Sequence, residues 1–248
     1  VSELGLLVPS RGRPAGAARL WESMRRTCTA PTQLLIGLDA DDPSRDSYPA
    51  GPGYVIRDGL RYVTAWVNHL ALLTLGAYAA VGTVGDDNTC SSDGWDTAIL
   101  AALERQPFAF GNDLYPFRAP GSLSCHIFMR TEVIETLGYM GPPELAHMFV
   151  DVAWYAWCLA CGHEFLASVL LPHHHYTTGA PHDETYARSL ALTGSGLAAW
   201  HAYSRRGLDD GAPGGLNADI AKLGGHPFTA ERLDAFNNGL AIPGWQPW

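Results

Sequence analysis

Apolar and polar positions alternate in blocks of two lengths along the first hundred residues. Short apolar runs end at polar or Gly/Pro-rich punctuation. Leu4-Gly5-Leu6-Leu7-Val8 stops at Pro9-Ser10-Arg11-Gly12-Arg13-Pro14, and Gln33-Leu34-Leu35-Ile36-Gly37-Leu38 stops at Asp39-Ala40-Asp41-Asp42-Pro43. Such runs, bounded by turn formers, read as buried strands. Between them, from about Ala15 to Arg26, Ala18, Leu20, Trp21 and Met24 offer one face of a helix. A Ser-, Pro-, Asp- and Gly-rich loop over 44–53 then leads to a third strand at Tyr54-Val55-Ile56. Tyr62 to about Leu75 reads as a second helix, and Tyr78 to Val84 as the strand that delivers Gly85-Asp86-Asp87-Asn88. This alternation predicts an α/β fold with a mostly parallel sheet and an active face at the carboxyl ends of its strands.

The pattern changes after Asp96. A helix from Asp96 to Glu104 leads to Phe108-Ala109-Phe110-Gly111-Asn112-Asp113 and a Pro/Gly-broken segment. Ser124 to Met129 reads as a strand, Thr131 to Leu137 as a helix, Val150 to Cys161 as a long apolar helix, and Glu164 to Leu171 as another strand. From about Asp183 to Trp248 the chain is helical, with Gly-rich breaks at Gly211 to Gly215 and Gly224-Gly225. With no internal repeat and no strong linker, the expected organisation is a domain over 1–190 with a helical C-terminal extension over 191–248 packed on it. Trp66 to Gly85 is twenty residues without a formal charge, long enough to span a bilayer. Asn68, His69 and Gly76 interrupt it, and a helix followed by a buried strand explains it better, so no membrane span is expected.

Composition sharpens this picture in two places. The chain has 248 residues, 47% of them hydrophobic and 17% charged, which is a globular composition with enough length for a full core. Five cysteines and no signal-peptide pattern point to free thiols in a reducing cytoplasm. Cys158 and Cys161 form a C-x-x-C inside an apolar helix, where core packing outweighs redox or zinc chemistry. The net charge of −9 disfavours a broad nucleic-acid-binding face.

That acidity is unevenly placed. Eight of the twenty-five acidic residues fall in two windows, Asp39, Asp41, Asp42 and Asp46, then Asp86, Asp87, Asp93 and Asp96. Each window opens where a buried strand ends. Carboxylates held together repel one another unless a cation or a donor-rich ligand sits between them. Asp86-Asp87-Asn88 offers hard oxygen ligands for Mg²⁺ or Mn²⁺, with a turn of capping aspartates as the alternative. For Asp93 and Asp96, near a helix start, capping is the expected role. Pro172-His173-His174-His175-Tyr176 follows a core strand, and in an extended chain His173 and His175 share a face. Either histidine completes a site begun by the aspartates, or the run is a surface loop.

Taken in order, these segments resemble GT-A glycosyltransferases, more narrowly the short family-2-like enzymes of bacteriophages and some bacteria. The resemblance rests on the Pro-Ser-Arg-Gly-Arg-Pro loop, the strand ending in Asp39, and Asp86-Asp87 followed by Gly94-Trp95-Asp96. It continues through Arg130-x-Glu132, Leu137-Gly138-Tyr139, Phe149-Val150-Asp151 with Trp154, and His173, His175, Gly179, Asp183 and Tyr186, covering roughly residues 4 to 190. It implies a Rossmann-like, mixed and mostly parallel sheet flanked by helices. In such a fold Pro9, Ser10, Arg11 and Arg13 would hold the nucleotide, the guanidinium groups pairing with its diphosphate. Asp39 would accept a hydrogen bond from the base, and Arg61 and Asn68 would flank phosphate or ribose. Asp86, Asp87 and Asn88 occupy the Asp-x-Asp metal motif, with Asn88 departing from the family pattern, and His173 or His175 matches the downstream metal-ligating histidine. Asp151 resembles the carboxylate that deprotonates the acceptor, a role belonging to inversion; an N-cap is its structural alternative.

The function implied is transfer of a sugar from a nucleotide sugar, most simply a UDP-sugar, to a hydroxyl acceptor with Mn²⁺ or Mg²⁺. The acceptor stays open among glycans, proteins, small molecules and a hydroxymethylated base in phage DNA. For the last, Arg118, Arg130, Arg188, Arg205, Arg206 and Arg232 are candidates for a local basic groove. A nucleotidyltransferase would want a lysine-bearing Gly-rich loop after the first strand, which is absent. A metallohydrolase would want a second histidine pair at helical spacing, also absent. A non-catalytic nucleotide-sugar- or carbohydrate-binding module would share the pocket without needing the metal.

Overall fold

The computed structural model describes residues 3–116, 124–179, 182–208 and 212–239. In chain order the regular elements are β1 (Leu4–Ser10), α1 (Pro14–Thr27), β2 (Thr32–Asp39), β3 (Gly53–Arg57), α2 (Val63–Leu73) and β4 (Ala80–Thr83). There follow α3 (Trp95–Leu103), β5 (Phe108–Asn112), β6 (Ile127–Arg130), α4 (Thr131–Leu137), α5 (Val150–Cys161) and β7 (His163–Leu170). The chain continues with α6 (Glu184–Ala191), α7 (Thr193–Arg205), α8 (Leu216–Lys222) and α9 (Ala230–Gly239).

The strands form one seven-stranded sheet in the order β3-β2-β1-β4-β6-β5-β7. β1 pairs in parallel with β2 and β4, and β2 with β3, while β6 runs antiparallel between β4 and β5, and β7 rejoins β5 in parallel. The sheet is therefore mixed and mostly parallel. Because only β6 is reversed, the carboxyl ends of β1, β2, β4, β5 and β7 and the entrance to β6 all open on one edge.

Side-chain alternation along β1 divides the core between the two faces. Leu4, Leu6 and Val8 face a layer with Ala17, Leu20 and Met24 of α1 and Trp95, Ile99 and Leu103 of α3. Leu7 faces the other layer, with Trp66, Val67 and Leu70 of α2, Val133 and Ile134 of α4, and Trp154 and Trp157 of α5. Each fully buried leucine contributes about 2 kcal/mol by leaving water. The chain after residue 190 packs into this second layer through Trp200, Tyr203, Leu216, Ile220, Phe228 and Leu233. A buried carboxylate pins them: Asp219 Oδ2 accepts from Tyr139 Oη at 2.5 Å and Tyr203 Oη at 2.7 Å.

Several sequence expectations shift in detail. The fourth strand begins at Ala80 rather than Tyr78, since Thr131 takes the carbonyls of Tyr78 and Ala79 outside the ladder. β6 begins only at Ile127, because Ser124 and His126 bond to each other through their side chains, Ser124 Oγ to His126 Nδ1 at 3.0 Å. The uncharged stretch from Trp66 resolves into α2 and β4, and among the described residues no helix is long and apolar enough to cross a membrane. Cys158 is buried in α5, Cys161 half-buried at its end, and all five cysteines are free thiols. Asp96 does not cap its helix, whose N-cap is Gly94. It is fully buried and accepts from Thr29 N at 3.0 Å, Ala30 N at 2.9 Å and Thr32 Oγ1 at 2.8 Å, tying α3 to the loop before β2. Gly211, part of the predicted Gly-rich break, lies outside the described residues.

Candidate functional site

Five pieces of chain meet at the carboxyl edge: the loop after β1, the end of β2, the turn after β4, the segment after β7, and the start of α6. Their placement is held by buried polar contacts. Asp42, only 5% exposed, accepts from Gly12 N at 2.9 Å and from Ser44 N and Oγ at 2.8 and 2.7 Å, which fixes the loop carrying Arg11 and Arg13. Pro9 and Ser10 complete β1. Ser10 Oγ donates to Asp86 Oδ2 at 2.5 Å and lies 2.8 Å from Tyr48 Oη, which also accepts from Arg13 N at 3.3 Å. Gly16 is needed here, because a Cβ on it would stand 2.5 Å from the backbone oxygen of Asp86.

Asp86 and Asp87 face the same cation. Arg13 Nη1 donates to Asp86 Oδ1 at 3.1 Å and to Asp87 Oδ2 at 3.2 Å. Its other edge grips Asp183 in a bidentate pair, Nε to Oδ2 at 2.6 Å and Nη2 to Oδ1 at 2.7 Å. The Tyr186 ring lies under the guanidinium, 4.4 Å from its centre, and Tyr186 Oη donates to Asp87 Oδ2 at 2.6 Å. Burial and the neighbouring Asp87 charge push Asp86 up to about 6, against the pull of Arg13 and Ser10. Burial acts on Asp87 in the same sense, yet His173, Tyr186 and Arg13 hold it well below the ordinary carboxylate range. One carboxyl is thus readily protonated and its neighbour is firmly ionised, the division expected when two acids share a site.

The third residue of the motif does something else. Asn88, 1% exposed, accepts from Gly85 N at 2.9 Å and donates from Nδ2 to Leu171 O at 3.0 Å. Its carboxamide closes the turn and ties it to the end of β7, a use other than the ligand role expected for it. An isolated antiparallel bridge between Asn88 and His173 then delivers the histidines. His173 Nε2 lies 3.4 Å from Asp87 Oδ1, and the Cys125 thiol interacts with the same imidazole. His173 and His175 rings are 5.1 Å apart, as the alternation of an extended segment requires, while His174 turns outward to Thr89 Oγ1 at 3.0 Å. His175 Nδ1 sits 2.7 Å from Thr177 Oγ1 and packs against Tyr176 and Tyr186, so it braces the turn into α6.

On the other flank Asp39 ends β2. Its Oδ2 accepts from Arg11 Nη1 at 3.0 Å and its Oδ1 from Trp66 Nε1 at 2.9 Å; Arg11 also pairs with Asp41. Trp66 reaches this position by lying across Gly37, where a Cβ would come within 2.4 Å of its ring. Arg61 is exposed and precedes α2 rather than lying on it. Asn68 departs from the expected nucleotide contact: its Oδ1 accepts from Met140 N and Gly141 N at 2.9 and 2.8 Å, and its Nδ2 donates to Gly141 O at 2.8 Å. Three of the four hydrogen bonds its amide can make go to holding that turn.

Asp151 lies in the first turn of α5, after Phe149, a buried residue whose φ of 70° is uncommon for a bulky side chain. It borders a cleft with Phe110, His126, Trp154 and Tyr155. Nearby, ligand-type atoms of Asp113, Cys125 and His126 lie within 4.8 Å of one another. His126 Nε2 accepts from Gly111 N at 3.1 Å, so its Nδ1 carries the proton directed at Ser124, and the imidazole has no lone pair left for an ion. The sequence reading missed Tyr48, Trp66 and Cys125. Tyrosines, tryptophans and thiols are common in cores, and no local pattern marks these three as lining a site.

No family model matches the chain, and no curated protein sequence matches it. Solved structures do. A mannosyltransferase from Pyrobaculum calidifontis, in complex with GDP-mannose and Mn²⁺, superposes with a TM-score of 0.61 at 13% identity, over 99% of this chain and 77% of that one. Glucosyl-3-phosphoglycerate synthase from Mycobacterium tuberculosis, with Mg²⁺ and UDP, gives 0.55 at 12% identity, over 80% of this chain and 78% of that one. S. aureus TarS (residues 1–349) with UDP gives 0.52 at 12%, over 82% and 73%. The fold is therefore the GT-A, Rossmann-like fold of nucleotide-sugar glycosyltransferases.

Proposed function

We propose that the protein is a glycosyltransferase that moves a sugar from a nucleotide-diphosphate donor, most simply a UDP-sugar, to a hydroxyl acceptor. The observation that carries this reading is the convergence of Asp86, Asp87, Arg13 and His173 at the carboxyl edge of a GT-A sheet. The donor set suits a divalent cation such as Mn²⁺ or Mg²⁺. Asp87 is firmly ionised, and His173 presents Nε2 to it at 3.4 Å, an oxygen-and-imidazole set of the kind such ions accept. Asp86, Asp87 and one of His173 and His175 would hold such an ion, and Asn88 would keep their turn in shape. The ion would neutralise charge on the departing nucleoside diphosphate.

The chain's own residues do the rest. Asp39, at the end of β2 beside Arg11, accepts a hydrogen bond from the base. Arg11 and Arg13 pair with the diphosphate. Asp151 takes the proton of the attacking hydroxyl, in an inverting displacement, and the aromatic cleft beside it receives the acceptor. The basic groove considered for a DNA acceptor finds little support. Arg130, Arg188, Arg205 and Arg206 pair with Glu132, Glu184, Asp234 and Glu144, Arg232 stacks on Phe228, and Arg118 lies outside the described residues. A glycan or protein hydroxyl fits better. The free thiols suit a cytoplasmic location.

The test is donor hydrolysis and UDP binding across a panel of nucleotide sugars, with and without Mn²⁺. Metal-stimulated turnover of one donor, abolished by Asp86→Ala with Asp87→Ala, is the expected result. Unaltered ligand binding by that double variant, with no turnover in the parent, would identify a binding module instead.

A further inference from the structure

We propose that Arg13 is an exchangeable internal cation: in the free protein its guanidinium neutralises Asp86 and Asp87, and a divalent ion binds that pair only by displacing it. Nη1 sits within 3.2 Å of both carboxylates, and the Nε and Nη2 edge is taken by Asp183. The ring of Tyr186 covers one face of the plane. A fork so engaged has little left to offer a phosphate, and a second cation placed on the same two carboxylates would meet its charge at close range in a half-buried site. Pairing with Arg13 and binding an ion are therefore alternatives for the aspartates.

Asp183 gives the exchange its particular form. It is a positioning residue: it holds the edge of Arg13 that does not touch the aspartates, 170 residues away in sequence. Nη1 can thus release Asp86 and Asp87 while the side chain stays tethered at the site. The released Nη1 is then the group that meets the donor's diphosphate, a step that rests on the glycosyltransferase reading above. Ion binding and preparation of the diphosphate contact become one event. Arg11, paired with Asp39 and Asp41, takes no part in it.

The test is Mn²⁺ affinity of the full chain, read from the free-ion electron paramagnetic resonance signal, without any nucleotide. Arg13→Gln is expected to bind Mn²⁺ at least about tenfold more tightly than the parent, a change of about 1.4 kcal/mol. Asp183→Asn, which loosens Arg13 without removing its charge, should shift affinity in the same direction by less. Arg11→Gln should shift it by less than about twofold if loss of direct pairing, rather than of distant charge, is responsible. A second arm measures UDP binding at saturating Mn²⁺, where Nη1 is released and Arg13→Gln should lose about tenfold. Opposite signs for metal and nucleotide are not produced by a merely structural residue. Equal or weaker Mn²⁺ binding by folded Arg13→Gln, an equal gain in Arg11→Gln, or no Mn²⁺ binding by any form at millimolar ion would overturn the exchange. If Arg13→Gln does not fold, Asp183→Asn alone decides, and unchanged affinity there refutes the tether. Absence of UDP binding in the parent would instead count against the donor reading and leave the Mn²⁺ arm standing.

Discussion

His147 links the loop before α5 to α6, and its titration should be visible in the stability of the whole protein. Ser189 Oγ donates to Thr185 O at 2.9 Å, so its hydroxyl proton is already committed. It must therefore accept from His147 Nε2–H, 2.6 Å away, which fixes the neutral tautomer. Burial, and then the charge of Arg13, push His147 down from 6.5 to about 4. A base whose folded pKa is depressed stabilises the fold fully above the unfolded value and loses that contribution as pH falls through the folded one. The window is pH 6.5 down to about 4. A shift of that size corresponds to about 3 kcal/mol between protonation states, and partial solvent access to the ring reduces the expected loss to about 1–2 kcal/mol. Urea unfolding of the parent and of His147→Gln between pH 7.5 and 4 (both ends chosen to bracket that window) gives the comparison. Asp86, raised to about 6, has the opposite sign: its penalty is relieved as pH falls, so the parent curve alone is ambiguous. The difference between the two proteins isolates the histidine. The parent should lose about 1–2 kcal/mol more than the variant over the window, and parallel curves would refute the assignment.

Asp96→Ala leaves Thr29 N, Ala30 N and Thr32 Oγ1, all partly solvent-accessible, without their buried acceptor, and should cost about 1–3 kcal/mol by urea unfolding; a loss under about 0.5 kcal/mol would mean that water replaces the carboxylate. Gly16→Ala drives a Cβ into the Asp86 carbonyl and should weaken Mn²⁺ binding at least about tenfold while lowering stability by about 1–3 kcal/mol; calorimetric titration with the ion reads the first. Asp151→Asn should leave UDP affinity within about twofold of the parent and reduce transfer to the acceptor by about 100-fold or more, and a proportional loss of both would assign Asp151 to the helix start instead.

Much of the β1–β4 half was legible because its signals are local. Strands β1, β2 and β4 are short apolar runs that end in Arg- or Asp-bearing turns, and their length and punctuation separate them from buried helix segments. The alternation that brings His173 and His175 together follows from backbone geometry alone. What escaped reading depends on distance along the chain. Asp183 reaches Arg13 across 170 residues, and Asp96 serves a loop 66 residues before it, so neither partner is visible from the residue itself. Asn68 and Asn88 look like ligands in sequence because a carboxamide suits both ligation and turn closure. Only the position of backbone N–H groups at Gly141 and Gly85 decides between those uses. The reversal of β6 is likewise a property of its pairing, carried by no residue in Ile127–Arg130.

That reversal divides the edge of the sheet in two. On one side the chain leaves β1, β2 and β4 through the segments that carry Arg11, Arg13, Asp86 and Asp87, whose cross-contacts fix their shape. On the other, β5 leaves and β6 enters at the same edge, so residues 113–126 begin and end there. A segment whose two ends are anchored side by side can be lengthened, shortened or replaced without changing the register of any strand. If the proposed glycosyltransferase reading holds, relatives that keep the Arg13–Asp86–Asp87 cluster are expected to differ most in this segment, and its exchange between them is the natural route to a new acceptor.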